Sequence, residues 1–433
     1  MSKQPLSACE AAQQLAQRSL RAQDLVRDCL ARIDARDAQV QAWSHVARQA
    51  ALARAKALDD SAHQGLLHGL PIGVKDLIDT ADMPTTYGSP VYASHQPAHD
   101  AACVALARSA GALVLGKTVT TEFATFQPNA TRNPHNTAHT PGGSSSGSAA
   151  AVADGMVPLA LGTQTAGSLT RPAAYCGVVA FKPSFGRIAR AGVKPLSDSL
   201  DTVGTLARNV PDAALLAAAL SGRKAWLVRP LNELLGRTLR VGLCRTHEWD
   251  HALPETQAAM EQAARQIQRG DGMALQVVQL PPEFAQLVQA QTRIQLAEQA
   301  QNLSHERLQH FERLSPRLQG IMQAGLEVSI EQYDQAQATV AQCRAQLAGV
   351  FENIDVLLAP SAPGAAPAGL DNTGDPIFCR IWTAMHTPTV NIPAGHAANG
   401  LPVGLQVIGP VGSDALTLTA AHALHQRWDR SGA

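Results

Sequence analysis

The first 60 positions repeat apolar residues at helical intervals. Leu20, Leu25, Val26, Cys29, Leu30 and Ile33 recur at a spacing that puts them on one helix face. Ser7 and Glu10 stand three apart, as in a capping box, so a helix is expected to start there. Beyond residue 63 the pattern turns into short apolar runs separated by glycine, with helical stretches between them. Positions 67–77 read as a strand and turn, 100–110 as a helix ending at Gly111, and 112–115 as a short buried strand. Positions 148–154 form an alanine-rich helix closed by Gly155, 157–161 a strand, and 169–176 a helix with Pro172 tolerated in its first turn. After about Asp212 the character changes. Positions 239–244 read as a strand, 254–269 as a helix, and 283–350 as strongly helical and rich in Gln and Ala. The late runs 355–359, 389–392 and 403–408 are expected to rejoin the sheet, and 414–426 to close as a helix with Ser413 at its N-cap.

Helices alternating with short buried strands predict an α/β sheet. No linker or internal repeat interrupts the chain. The expectation is therefore one domain over 1–433: N-terminal helices at about 7–62, a core at about 63–210, a helical middle at about 250–350, and C-terminal strands and a helix at about 351–433.

Composition narrows the function. The 433 residues are 45% hydrophobic, carry no formal net charge and include only 16% charged side chains. That balance argues against a nucleic-acid partner, which needs a clustered basic face. The seven cysteines are scattered and form no CxxC pair, so neither a disulfide framework nor a zinc site is expected. Reduced thiols fit a cytoplasmic protein. Positions 1–10 lack the apolar centre of a secretory leader, and no run reaches 18 apolar residues, so no membrane association is expected.

Candidate chemistry lies in two runs, GGSSSGS at 142–148 and GTQTAGS at 162–168, with an apolar, nearly uncharged segment between them. That layout suits two turns facing one buried spot. A serine hydroxyl needs a base to act as a nucleophile, and no histidine stands in a glycine-framed motif. The run PIGVKD at 71–76 offers Lys75 among Ile72, Val74, Leu77 and Ile78. Burial there would disfavour the ammonium and leave an amine able to take a proton. Ser144 can relay it, because a hydroxyl both donates and accepts. Ser168 opens a helix, so the amides of Thr165, Ala166, Gly167 and Ser168 are candidates for an oxyanion hole. A lone lysine is more often a surface group and a lone Gly/Ser run more often a linker, but the three elements together are far more specific.

Two other patterns carry less. GALVLGKT at 111–118 fits a phosphate-loop pattern, yet the residues between its glycines are themselves an apolar strand. His135 and His139 have the i, i+4 spacing of metal ligands on a helix, but Pro134 and Pro141 bracket them and a loop is expected.

These motifs together resemble the amidase signature family. The segment from Gly142 to Pro183 resembles the signature itself, GLPIGVKD and GALVLGKT the family's upstream motifs, and NIP at 391–393 with GLPVGLQ at 400–406 its C-terminal motifs. The resemblance spans roughly 10–425. It implies a mixed, twisted sheet flanked by helices on both faces, with Ser168 as nucleophile, Ser144 as a bridging serine preceded by a cis peptide bond, and Lys75 as base. It implies an amide hydrolase working through an acyl-enzyme, with no metal and no cofactor. Two departures stand out. Gln164 replaces the family's usual Asp, and Ala166 its usual Gly; the first removes a charge beside the oxyanion turn and the second restricts φ.

PIGVKDLIDTADM at 71–83, the 133–137 run and Arg171, three residues past Ser168, are similar to the family's malonamidase members. By that resemblance Arg171 holds a free carboxylate on a small amide substrate; the alternative is an arginine paired with a nearby acidic side chain. Aryl-acylamide or carbamate hydrolysis on the same fold, and a glutaminase subunit of a tRNA amidotransferase, are the other readings. The resemblance and the helical middle also suggest a homodimer. Trp382, Thr383, Met385 and His386 are candidates for the far wall of the pocket.

Overall fold

The structure, a computed structural model, describes residues 6–430. Eleven strands form one mixed sheet: β1 (Trp43–Val46), β2 (Pro71–Lys75), β3 (Leu113–Thr118), β4 (Leu159–Gln164), β5 (Val179–Lys182), β6 (Thr202–Ala207), β7 (Leu239–Cys244), β8 (Met273–Val278), β9 (Val356–Pro360), β10 (Thr389–His396) and β11 (Pro402–Ile408). Their spatial order is β1-β3-β2-β4-β6-β5-β10-β11-β9-β7-β8. β2 runs parallel to both β3 and β4, and β7 parallel to both β8 and β9, while the remaining pairs are antiparallel.

Every residue of β2, β3 and β4 is buried, as apolar runs covered on both faces require. β9 shows how the faces are used. Val356 and Leu358 join one hydrophobic core, and the alternate Leu357 and Ala359 join another. Side chains alternate along a strand, so the two cores lie on opposite faces of the sheet. The first core takes in helices Ala22–Val40, Ser146–Ala153, Val210–Ser221, Pro254–Arg269 and Asp414–Arg430; the second takes in Leu287–Asn302, Ile330–Val350 and Ile377–Ala384. Among the described residues no helix is long and apolar enough to cross a membrane.

Local chemistry sets several boundaries. The capping box at Ser7 and Glu10 is formed at the start of helix Ala8–Ala16. Ser413 precedes the last helix: its carbonyl accepts the Thr417 N–H (2.9 Å) and its hydroxyl donates to the Pro410 carbonyl (2.7 Å). Residues 111–118 form the end of a turn and β3, with Lys117 buried against Thr85 (2.6 Å) and the Ile78 carbonyl, so no phosphate loop exists there. His135 and His139 lie in a loop and bond the carbonyls of Cys176 and Ala366, both at 2.9 Å.

Candidate active site

β2 and β4 are parallel neighbours, so their carboxyl ends lie on one edge of the sheet, the usual place for a site in such folds. β2 ends in Lys75 and β4 in Gln164; the chain after β4 turns at 165–169 into helix Thr170–Cys176. Lys75 is fully buried. Its Nζ bonds Ser144 Oγ and Thr163 Oγ1, each at 2.7 Å. Burial pushes its pKa from 10.5 down to about 7, against the opposing charge of Asp201.

Two other buried lysines show what is particular to Lys75. Burial also lowers Lys182 to about 7 and Lys117 to about 8. Lys182 Nζ donates to the carbonyls of Pro183 (3.2 Å) and Thr387. Lys117 Nζ donates to the Ile78 carbonyl and to the hydroxyls of Thr85 (2.6 Å) and Thr80 (3.3 Å), and stands 3.7 Å from Asp76. Carbonyl oxygens only accept, so both amines are held as donors. Lys75 alone of the three has only hydroxyl partners, which can donate as well as accept, so neither of its bonds forces the amine to remain a donor.

Ser144 follows a cis peptide bond from Gly143. Just before it, Gly142 holds φ +79°, and a Cβ there would lie 2.9 Å from Pro172 Cα, so only glycine fits. The Ser145 N–H donates to the Ser168 carbonyl (3.2 Å), which ties the two serine segments together. Ser168 is 7% exposed, and among the described residues its hydroxyl has no hydrogen-bond partner. The structure thus joins Lys75 to Ser144 directly and brings Ser168 beside them, without a formed bond between the two hydroxyls.

The turn at 165–168 has a one-sided bonding pattern. Its four carbonyls are all occupied: Thr165 by Gln291 Nε2 (3.0 Å), Ala166 by Thr383 Oγ1 (2.7 Å), Gly167 by the Arg171 N–H (2.9 Å) and Ser168 by Ser145. Among the described residues the N–H groups of Ala166, Gly167 and Ser168 have no acceptor. A turn with its carbonyls tied back and its amides free is what stabilising an oxyanion requires. Ala166 does not adopt the left-handed region, so its methyl imposes no backbone strain. Gly167 is obligatory for space: a Cβ would sit 2.9 Å from Pro376 and 3.0 Å from Cys379.

Gln164 replaces the expected charge with bonds. Its Oε1 accepts the N–H groups of Leu169 (2.9 Å) and Thr170 (3.0 Å), and its Nε2 donates to Thr383 Oγ1 (3.0 Å). Asp201 accepts from Thr165 Oγ1 at 2.6 Å and from the N–H groups of Leu196 and Ser197. Of the expected far-wall residues, only Thr383 bonds the turn. Trp382 and Met385 belong to the core, and His386 is stacked on Phe185. Thr163, Asp201 and Gln291 are the site residues that motif reading missed, and Thr383, expected as pocket wall, holds the Ala166 carbonyl instead. Thr163 alone had a local signal, a hydroxyl on β4 within the glycine-framed run.

Arg171 is 2% exposed. Its Nη2 donates to the Gly143 carbonyl (2.7 Å) and Thr373 Oγ1 (3.0 Å), while Nε and Nη1 are buried without an acceptor among the described residues. Burial holds its pKa below the usual arginine range. Among the described residues no acidic side chain bonds it, and Asp375 acts on it only through its charge.

Comparison with known proteins places the fold among solved enzymes. A glutamyl-tRNA(Gln) amidotransferase subunit from Anaeromyxobacter dehalogenans strain 2CP-C is 36% identical over 470 aligned positions, covering 96% of this chain and 95% of that one. A solved amidase structure is 30% identical with a TM-score of 0.89, covering 98% of this chain and all of the other. The native peptide amidase of Stenotrophomonas maltophilia is 28% identical with a TM-score of 0.83, covering 98% of this chain and 97% of its own. Residues 24–418 match the family described as Amidase, and the chain belongs to that family of carbon–nitrogen hydrolases.

Proposed function

We propose that the protein hydrolyses a small carboxylic amide bearing a free carboxylate. Lys75, as the neutral amine, takes a proton from Ser144, which takes one from Ser168. The Ser168 oxygen attacks the carbonyl, and the amides of the 165–168 turn hold the oxyanion. The proton returns through Ser144 to the leaving nitrogen. Water then cleaves the acyl-enzyme.

The observation that carries the substrate class is the Arg171 guanidinium, buried with Nε and Nη1 unpaired. Each unsatisfied buried group costs roughly 1–3 kcal/mol. A substrate carboxylate that accepts a charge-assisted hydrogen bond from one of these open nitrogens would lower that cost. The deep burial of Lys75, Ser144 and Ser168 supports a small ligand. Arg171→Met, assayed on malonamate and on neutral amides such as propionamide and acetanilide, is expected to lower kcat/KM for malonamate by roughly 100-fold or more and to spare the neutral amides by comparison. Equal losses on all three would remove the carboxylate-binding role.

A second reading is favoured by the amidotransferase relative: release of ammonia from glutamine for a partner protein. Glutaminase activity that appears only on adding a partner protein, with no turnover of malonamate by the chain alone, would replace the first reading.

A further inference from the structure

A second cation faces the same turn. Arg380 lies on helix Ile377–Ala384, next to Cys379, the residue against which Gly167 packs. Its guanidinium reaches helix Leu287–Asn302, where Nη1 donates to Oε1 of Gln291 and to Oε1 of Gln295 (3.3 Å). Gln291 is the residue that holds the Thr165 carbonyl. On its other side Arg380 lies 5.8 Å from the centre of the Phe126 ring, in the loop after Thr121, whose N–H donates to the Ser144 carbonyl (3.3 Å). Arg380 therefore stands where three elements bordering Ser144 and Ser168 meet.

Among the described residues several more exposed arginines have a counter-ion, while the half-buried Arg344 has none and bonds the Ala384 carbonyl (2.8 Å) and His386 (2.7 Å). Arg237 and Arg240 share Asp355, and Arg32 and Arg36 share Asp154. Among the described residues neither Arg171 nor Arg380 forms an ion pair. The bonds of Arg380 are to neutral amides, and no acceptor among the described residues reaches its Nε or Nη2. Burial lowers its pKa to about 10, and the Arg171 charge acts in the same direction, so the two cations repel across the site. Asp375 acts favourably on both, but its Oδ1 accepts the Ile377 N–H at the start of the helix (2.9 Å). Two neighbouring guanidiniums with open donors, neither in an ion pair among the described residues, match a ligand that brings two negative charges.

Resting on the function proposed above, we propose that Arg380 reads a second anionic group, so that the substrate is an amide carrying two acidic groups, one held by Arg171 and the other by the open donors of Arg380. The test compares kcat/KM for malonamate, which has one carboxylate, with two diacids, N-malonylglycine and 2-carbamoylsuccinate, in the wild type and in Arg380→Gln. At least one diacid is expected to exceed malonamate by about tenfold in the wild type, and Arg380→Gln to lower that diacid-to-malonamate ratio roughly 10- to 100-fold, mainly through KM. Calorimetric binding of the preferred diacid to Ser168→Ala, with and without Arg380→Gln, reads the same contact without turnover. Two outcomes would overturn the inference: no diacid preference in the wild type, or losses in Arg380→Gln that leave the ratio unchanged and fall on kcat, as for a residue that only braces Gln291. Failure of the underlying function looks different: malonamate turnover would then be absent or indifferent to Arg171→Met.

Discussion

The protonation of Lys75 gives the sharpest test of the chemistry, because one group is read in two independent ways. At its ordinary pKa of 10.5 a lysine would be neutral in about one molecule in 3,000 at pH 7, whereas at about 7 roughly half the molecules carry the amine. Burial among apolar strands therefore raises the reactive fraction about a thousandfold. If the neutral amine is the base, kcat/KM should rise about tenfold per pH unit below 7 and level off above 8. The perturbation is Lys75→Met, which fills similar space without the amine. Its residual activity should lack that limb. Stability should also rise with pH, over a higher window. The folded value lies below the unfolded one, so between pH 7 and 10.5 the unfolded chain binds a proton that the folded chain has released. The cost of burying this lysine is thus fullest below pH 7 and fades as pH rises towards 10.5. Across that window it amounts to about 5 kcal/mol, an upper figure for what Lys75→Met gains at pH 6 over pH 10 in urea unfolding. Ammonia release measured from pH 5.5 to 9.5 gives the rate profile. A wild-type rate flat across pH 6–8, or the same limb surviving in Lys75→Met, would refute the assignment.

Ser168→Ala should abolish turnover and labelling by a fluorophosphonate while leaving the unfolding midpoint nearly unchanged; persistent labelling would move the nucleophile elsewhere. Thr163→Val removes a hydroxyl that accepts from the Lys75 ammonium, so the acid limb should move below its wild-type midpoint, with kcat/KM at pH 8 falling by less than about tenfold; a limb that moves upward contradicts this. Gln164→Glu keeps acceptors for Leu169 and Thr170 but cannot donate to Thr383, and it places a negative charge beside the oxyanion turn. Turnover of malonamate should fall roughly tenfold, more than that of propionamide; equal or improved turnover of malonamate would show that the neutral amide has no role.

Periodicity found the elements that bury one continuous face. β7 and helix Pro254–Arg269 lie where the apolar spacing puts them, the latter with proline in its first turn. β2, β3 and β4 are apolar runs bounded by glycine, and each was legible to within a few residues. The misses have physical reasons. β1 has four residues at the sheet edge, and β8, at the other edge, alternates half-buried with exposed positions and shows no strong apolar run. β6 mixes threonine and glycine with few large apolar groups, because Gly204 lies against the Phe181 carbonyl and Leu169. Helix Val210–Ser221 begins at an Asn209 cap inside what reads as a change of character.

The site divides along the same line, between what is local in the chain and what the fold brings in from afar. Lys75, Ser144 and Ser168 sit in glycine-framed turns and were readable from their own neighbours. The groups that orient the turn were not, since Gln291, Thr383 and Asp201 lie 126, 217 and 36 positions from the residues they hold. None of the three has a motif of its own. Gln291 lies in a helix rich in glutamine, and only the packing of Leu287–Asn302 against Ile377–Ala384 singles it out. Preorganised donors act on an oxyanion only if their carbonyl ends are fixed first. In this chain the helical middle and the late helix fix two of the four carbonyls, those of Thr165 and Ala166, and carry none of Lys75, Ser144 and Ser168. Those same helices also supply Arg380 and its two glutamine partners. An insertion or substitution there changes the geometry of the turn and the charge at its rim together, so divergence in the helical middle is a direct route to a change of substrate while the Lys75–Ser144–Ser168 segments stay as they are.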